Sequence, residues 1–437
     1  MTFSQHIKTA LSSAIQEVVK NKDDFVVRAG IDFSRNKKMN LENLIDFMLA
    51  MEGNSIEKEL FDFSCNTDTS LITKSAFVQS RAKIKWEAFE FLFHDFTARL
   101  PYNNTFKNHY LIACDGCEVY IPFNADDKET FINNGPDKSG WNRVHLNALY
   151  DILNRIYINA VITPGKHVDE RGSLLKMLKN KPLLENSIII ADRGYPSFEL
   201  LATLQSDNQK YLIRVKQPSG QSSLLRDVTL PKDEVFDVNV TFHSARNYKN
   251  MSSCSSGDKK IMNQKCKFSY FTDEKPYFTF CMRVVKLKLS ENHYEYLLTN
   301  LKKEEFSTED VAEMYHMRWD IETAFRELKY TLGLLNFHSK KVDFIKQEIF
   351  ARLIMYNFCE IRAGQVVLQT RAARKYDYQI NFTMAMRICK TFFQVQNKNP
   401  PNPETLIEKY ILPVRKKRRF ERKAKKRNPM SFLYRIA

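Results

Sequence analysis

Two short runs constrain this chain more than anything else in it. YLIACDG (110–116) and SIIIAD (187–192) are each an apolar stretch that ends on an aspartate, Asp115 and Asp192. Runs of this length and composition predict buried strands. Between and after them the pattern keeps changing. Gly116 permits a turn, EVYIPF (118–123) predicts a second strand, and VHLNALYDILNRIYINAVITPG (144–165) a third with a fourth, irregular one. SLLKMLKN (173–180) predicts a short helix, FELLATLQ (198–205) another, and KYLIRVK (210–216) a strand. Three consecutive strands followed by strand alternating with helix predict a mixed α/β sheet.

A chain of 437 residues exceeds one ordinary core, so several domains are expected. Residues 1–105 read as a helical unit: LENLIDFMLAMEG, SIEKELFDF, TKSAFVQSRAKI and WEAFEFLFHDF carry apolar residues at spacings of three and four, with Asn40 and Thr73 placed as N-caps. Short helices joined by tight turns suit a helix-turn-helix DNA-binding unit, with TKSAFVQSRAKI as recognition helix and Lys74, Ser75, Gln79 and Arg81 as contacts; a plain helical bundle fits equally well. The α/β core's first part spans 106–216 and its second, which carries a long helix, 304–370, separated by a β-rich insertion at 217–303. A helical C-terminal region with a basic tail occupies 371–437.

Lys and Arg number 67 against 51 Asp and Glu, a net of +16, which points to a polyanion such as nucleic acid or an anionic membrane surface. Residues 415–427 hold ten Lys/Arg and one Glu, so 10 − 1 gives +9. No apolar stretch is long enough to span a membrane, and the start does not read as a signal peptide. The eight cysteines read as reduced core residues of a cytosolic protein; Cys114 and Cys117 form a C-x-x-C without a second pair to complete a zinc site, and alternation is expected to turn them away from Asp115.

The segment Glu309–Gly333 predicts one long helix, capped by Ser307 or Thr308 and ended by Gly333. At about 100° per residue, Tyr315, Arg318, Glu322 and Lys329 fall within an arc of about 60°. Val311 and Arg326 lie on or near that stripe. Met317, Ile321, Ala324 and Leu328 form an adjacent core-facing stripe, and Glu313, Asp320 and Glu327 a solvent flank. A single carboxylate in a cationic stripe suits a metal-dependent phosphodiester site, the carboxylate holding metal and the cations gripping phosphates.

Tyr315-x2-Arg318-x3-Glu322-x6-Lys329 resembles the Y-R-E-K signature of DDE insertion-sequence transposases of the insertion-sequence-four branch. TKSAFVQSR, the strand ending CDG, ADRGY (191–195), LLTNL (297–301), LGLLNFHSKK (332–341) and KQEIFARLIMYN (346–357) are similar to that family too, so the resemblance runs from about Thr73 to Arg435. It implies a ribonuclease-H-like catalytic core in which Asp115 and Asp192 meet on neighbouring strands and Glu322 joins them from the later helix. Three hard oxygen donors suit two Mg²⁺ ions, with Mn²⁺ able to substitute. Tyr315, Arg318, Arg326, Lys329 and Arg193 are then the expected phosphate contacts. His167, Asp169 and Glu170 are read as structural or loop residues. The expected partners are double-stranded DNA, as terminal inverted repeats and target, and a second copy of the chain in a synaptic complex, with no membrane; the expected location is the bacterial cytoplasm, at the nucleoid.

Some relatives form a DNA hairpin and stack a flipped base on a tryptophan in the β insertion. The tryptophans here are Trp86, Trp141 and Trp319, so Tyr277, Phe278, Phe280, Tyr294 or Tyr296 would have to serve. Two rival readings are a ribonuclease-H-like nuclease or resolvase that does not transpose, and a catalytically silent DNA-binding regulator. The first leaves the cationic helix unexplained; the second predicts a lost carboxylate.

Overall fold

The computed structural model describes residues 2–414 apart from 36, 68, 102, 134, 136–139, 221–222, 253, 255–256, 367–376 and 396–401. The +9 tail expected to grip DNA lies outside the described residues.

Six helices come first: α1 (Phe3–Lys20), α2 (Lys22–Phe25), α3 (Leu41–Ala50), α4 (Ile56–Thr67), α5 (Lys74–Arg81) and α6 (Glu87–Ala98). The expected caps are in place. Asn40 accepts from the Asn43 N–H at 2.7 Å, and Thr73 from the Ala76 N–H at 3.2 Å. The chain then enters the sheet with β1 (Tyr110–Ile121), β2 (Phe131–Ile132), β3 (Trp141–Asp151) and β4 (Ile156–Pro164). Next come α7 (Glu170–Asn180), β5 (Ser187–Ala191), α8 (Phe198–Ser206) and β6 (Lys210–Val215). Strands β7 (Phe236–Ala245), β8 (Asp258–Ile261), β9 (Tyr277–Ser290) and β10 (His293–Thr299) precede α9 (Thr308–Met317), α10 (Trp319–Tyr330) and α11 (Val342–Ala363). Strand β11 (Asp377–Ile380), α12 (Phe382–Gln394), α13 (Pro403–Lys409) and β12 (Ile411–Val414) close the described chain.

The sheet is mixed, as the strand pattern predicted. Its order around the first strand is β4-β3-β1-β5-β6, with β1, β5 and β6 parallel and β3 antiparallel to both its neighbours. Two features differ from expectation. Strand β1 does not turn at Gly116; it runs unbroken to Ile121, with Gly116 opposite Asn147 on β3. Gly116 is there for lack of a side chain, not for a turn. The strands of the 217–303 segment also do not stand apart: β10 pairs antiparallel with β6 and carries β9, β7 and β8 outward in the same sheet.

The two faces of the sheet are covered differently. Ile112, Cys114, Leu149, Ile189 and Ala191 pack against α7 and α8. Leu111, Ala113, Cys117, Leu146 and Ala148 face a larger core that includes α10, α11 and the N-terminal helices. Nearly all of α11 is buried, including Gln347, Glu348, Arg352, Asn357, Glu360 and Arg362. Among the described residues, no helix is long and apolar enough to cross a membrane. Residues 1–105 have no core of their own: Leu11, Phe47, Phe89 and Phe93 join one cluster with Ile349, Phe350, Phe358 and Phe393.

Candidate active site

Asp115 lies in the middle of β1, one residue past the point where its neighbour β5 stops pairing: Cys114 pairs with Ala191, the last residue of β5. Asp192 follows directly. Parallel pairing in register therefore brings the two aspartates to the same level of the sheet, because each apolar run ends there. Ligands of open α/β sheets collect at such carboxyl ends.

The helix reaches them from the larger core. The expected single helix is interrupted at Arg318. The backbone there stays right-handed helical (φ −51°, ψ −30°), but the Arg318 N–H bonds to Tyr315 O and the Ile321 N–H to Arg318 O, three residues back rather than four. Ser307 caps α9 in a reciprocal box with Asp310, and Gly333 (φ +71°) follows α10 as expected. Glu322 falls in the first turn of α10, where the helix dipole favours a carboxylate.

Two hydrogen-bonded groups result, brought together by the Arg318 guanidinium, whose carbon lies 6.0 Å from the Tyr315 ring centroid. The Tyr315 hydroxyl donates to Asp192 Oδ1 at 3.3 Å. Arg318 donates through Nη1 to Asp115 Oδ2 at 3.4 Å and through Nη2 to Glu322 Oε1 at 2.9 Å. The Gly116 N–H donates to Asp115 Oδ1 at 2.8 Å. The Arg318 side chain is 3% exposed, Asp115 20% and Glu322 39%, so the carboxylates look outward over a buried cation. Burial pushes the Asp115 carboxyl up to about 6; the Gly116 N–H and Arg318 oppose that, while Glu170 and Glu322 add to it. Burial also pushes the Tyr315 hydroxyl up, with Asp192 adding to the rise, so it is a neutral donor.

Alternation puts Cys117 on the same sheet face as Asp115, contrary to the expectation that it turns away; Cys114 does face the other side. Burial pushes the Cys117 thiol up to about 11, against the pull of the Lys329 ammonium beside it. Lys329 therefore stands over β1 about 7 Å beyond Asp115, two residues along the strand. Arg193 and Arg326 are exposed. Glu327 is not on a solvent flank: it accepts from the Tyr356 hydroxyl at 3.2 Å, lies 3.8 Å from Arg155, and burial pushes its carboxyl up to about 7. Val311 belongs to the core.

Sequence reasoning missed three neighbours of this group. Glu295 of β10, ion-paired with Arg214 of β6 at 3.1 Å, is close enough to Asp192 for their charges to interact. Glu170, read as a loop residue, opens α7 next to Asp115. His145 of β3 lies 3.2 Å from Glu170. Its companion Asp169 is structural as expected, capping α7 through the Gly172 N–H at 2.9 Å, and His167 is exposed. The signal that could have found Glu170 is Gly116, a glycine within a strand, which marks a close approach.

Of the expected recognition residues, Lys74, Ser75 and Gln79 are exposed on α5. Arg81 is corrected: its side chain is 2% exposed and bound to Glu348 at 2.9 Å and to Gln347 at 2.9 Å, so it has no face for DNA. Phe280 is fully buried and cannot stack a base.

The family profile described as Transposase DDE domain matches residues 107–358, more than half of the chain and the whole of the site just described. The chain belongs to the DDE transposase family. The transposase for insertion sequence element IS421 of Escherichia coli is 45% identical over 58 residues, which is 13% of this chain and 16% of that one. The transposase InsG for insertion sequence element IS4 of Escherichia coli K12 is 28% identical over 131 residues, 27% of this chain and 28% of that one. The chain thus spans under a third of the length of these curated relatives. A cryo-EM structure of the piggyBac transposase synaptic complex with hairpin DNA aligns over 91% of this chain and 81% of that chain, at 13% identity and a TM-score of 0.44, too low to carry weight.

Do the residues of this family member fit a divalent metal? Asp115, Asp192 and Glu322 are hard oxygen donors of the kind Mg²⁺ takes. The space between Asp115 and Glu322 holds a cation already, the guanidinium of Arg318, whose Nε has no hydrogen-bond partner. Among the described residues, no three His, Cys, Asp or Glu side chains stand close enough to share one ion. The donor chemistry fits, with Arg318 as the stand-in charge.

Proposed function

We propose that this chain is a cut-and-paste DNA transposase of the insertion-sequence-four branch. It binds the terminal inverted repeats of its element as a homodimer, cleaves DNA at the ends and joins the 3′-OH ends to target DNA. The observation that carries this reading is the gathering of Asp115 and Glu322 on Arg318 and of Asp192 on the neighbouring Tyr315. The sheet order β4-β3-β1-β5-β6 supports a ribonuclease-H-like core, being third-second-first-fourth-fifth in chain order with only the second strand reversed.

Asp115, Asp192 and Glu322 would hold Mg²⁺, which when bound activates water and stabilises the leaving 3′ oxygen. The chain's own contribution is charge and position. Arg318, at the helix interruption, holds Glu322 and Asp115 in place and sets a buried positive charge beneath the carboxylates. Tyr315 keeps Asp192 oriented without giving up its proton. Lys329 grips the backbone a nucleotide or two from the cut, and exposed Arg193 and Arg326 take further phosphates. Lys74, Ser75 and Gln79 serve end recognition from the exposed side of α5. The test is cleavage of a DNA fragment bearing the element's flanking repeats, with and without Mg²⁺. Nicking at the repeat ends that needs Mg²⁺ is the expected result; cleavage without regard to the repeats would leave a nuclease and end the transposase reading.

A further inference from the structure

Behind the aspartates is a second group of polar side chains. It gathers on Gly116, the residue after Asp115. A side chain on Gly116 would put its first carbon 2.3 Å from His145 Nε2, 2.8 Å from Glu170 Oε1 and 3.1 Å from Asn147 Oδ1, so only glycine fits. The same carboxylate bears on the other aspartate's turn: Glu170 Oε2 is 3.6 Å from where a first carbon on Gly194 would lie. Arg171, next to Glu170, donates to Gly194 O at 2.9 Å. The first turn of α7 thus touches both glycines that follow the two aspartates, and Gly116 in turn donates its N–H to Asp115.

A plain core ion pair does not account for this group. His145 Nε2 and Glu170 Oε1 are 3.2 Å apart but not aligned for a hydrogen bond, and among the described residues neither ring nitrogen has a hydrogen-bond partner. Asn147 is completely buried with both amide atoms unpaired. Buried polar groups are ordinarily satisfied, and leaving several open beside one another costs stability. Such a cost is expected where a site is organised for something it binds. The charge balance points the same way: Asp115, Asp192 and Glu322 gather about one guanidinium, that of Arg318, and Glu170 adds a fourth carboxylate from the other face of β1.

We infer that Glu170 is a positioning residue of the carboxylate site, acting through Gly116 and Gly194 and adding its negative charge to the hold on a divalent cation. It is not a direct ligand, since its side chain meets the face of β1 opposite Asp115. The inference rests on the reading of Asp115, Asp192 and Glu322 as metal holders. In the metal-free chain the Glu170 and Asp115 carboxylates, gathered on either side of Gly116, repel as like charges. A bound divalent cation attracts both carboxylates and outweighs that repulsion. Groups that orient metal ligands from behind change metal affinity by about 10–100-fold when removed.

The experiment is titration of the full chain with Mn²⁺ alone, read by the loss of free-ion electron paramagnetic resonance signal, together with thermal unfolding without metal. Glu170→Gln should weaken Mn²⁺ binding about tenfold or more while the metal-free Tm stays or rises. Asp115→Asn is the control. If Asp115→Asn loses Mn²⁺ and Glu170→Gln binds like the wild type, the inference is overturned and the metal site stands. If Asp115→Asn also binds like the wild type, the metal reading and this inference fall together. Should Glu170→Gln lose its fold, Glu170→Asp decides, because it keeps the charge and retracts the carboxylate: lowered affinity at an unchanged Tm supports the positioning role, and wild-type affinity overturns it.

Discussion

Two clusters in this molecule are built from the same side chains and behave oppositely. One is the group of Asp115, Asp192, Glu322, Tyr315 and Arg318. The other joins α5 to α11 and to the loop after α10. There Glu348 is bound by Arg81 at 2.9 Å, by His338 at 3.2 Å and by Arg352 at 3.3 Å, while Glu59 lies 3.5 Å from His338. In that second cluster two arginines and a histidine meet two carboxylates, all at least nine-tenths buried, and Arg352 is further bound to Leu332 O and Asn336 O. Each carboxylate has a cationic partner, and the arginine donors are used. In the first, three carboxylates meet one guanidinium, Glu322 is 39% exposed, and Arg318 Nε is unused. Matched charge in a closed site holds elements together. Unmatched negative charge at an open sheet end leaves room for a cation, which is the role proposed above.

The sharpest way to break this comparison is to neutralise each carboxylate of the open cluster without changing its shape. Asp115→Asn, Asp192→Asn and Glu322→Gln should each lower Mg²⁺-dependent cleavage about 1,000-fold or more, since metal-borne charge stabilisation amounts to several kcal/mol. Unfolding should be little affected. Full activity in any one variant removes that residue from the site.

The closed cluster should respond the other way. Glu348→Ala leaves Arg81 and Arg352 buried without their counter-ion, which costs about 3–5 kcal/mol. Chemical denaturation should register it as a fall in stability, and DNA cleavage by the molecules that remain folded should keep its rate. A variant as stable as the wild type would mean the network is not what joins the N-terminal helices to α11.

Arg318→Ala sharpens the distinction, because Arg318 is buried like the arginines of the closed cluster yet belongs to the open one. Single-turnover cleavage of DNA already bound should slow about 100-fold, the scale of misplacing a reacting phosphate by about 1 Å. The dissociation constant at the same salt should change modestly. If binding falls and cleavage of bound ends does not, Arg318 is a structural arginine.

The smallest effect concerns pH. Burial pulls the His338 imidazole down, but Glu348 and Glu59 more than offset it, so its pKa is raised. Its contribution to stability is therefore complete below the unfolded value of about 6.5 and is lost as pH rises through the folded value. Glu348 is the reverse case: burial pushes it up, Arg81, His338 and Arg352 outweigh that, and its contribution is complete above the ordinary carboxylate range and lost as pH falls through that range toward the lower folded value. Thermal unfolding across this range should show wild-type stability declining on the alkaline side, and His338→Gln should flatten that decline. The same slope in both would assign it to another group.

The open cluster was largely legible in advance and the closed one was not. Asp115 and Asp192 each end an unbroken apolar run, and Tyr315, Arg318, Glu322 and Lys329 repeat at helical spacing; both are short-range patterns. Arg81 looked like one more surface residue at the end of an amphipathic helix, because nothing near it in the chain announces Glu348, 267 positions on. Glu327 was misjudged for the same reason, its partners Arg155 and Tyr356 lying far away in the chain. Glu170 was read as a loop residue because its significance depends on two distant glycines, Gly116 in β1 and Gly194 in the turn after β5.

The sequence by itself determined the elements and the chemistry on them: strands that stop at aspartates, a helix with a cationic stripe around one carboxylate, caps at Asn40, Thr73 and Ser307, and a positive charge suited to a polyanion. Tertiary structure alone decided which polar groups are shared and which are left open. It ran β1 straight through Gly116, folded the strands of 236–299 into the same sheet, merged residues 1–105 into the core around α11, and buried Arg81 while leaving Glu322 at the surface. The physical reason is range. Secondary structure follows from spacing over a few residues, whereas burial and ion pairing depend on side chains that meet only after the chain has closed on itself.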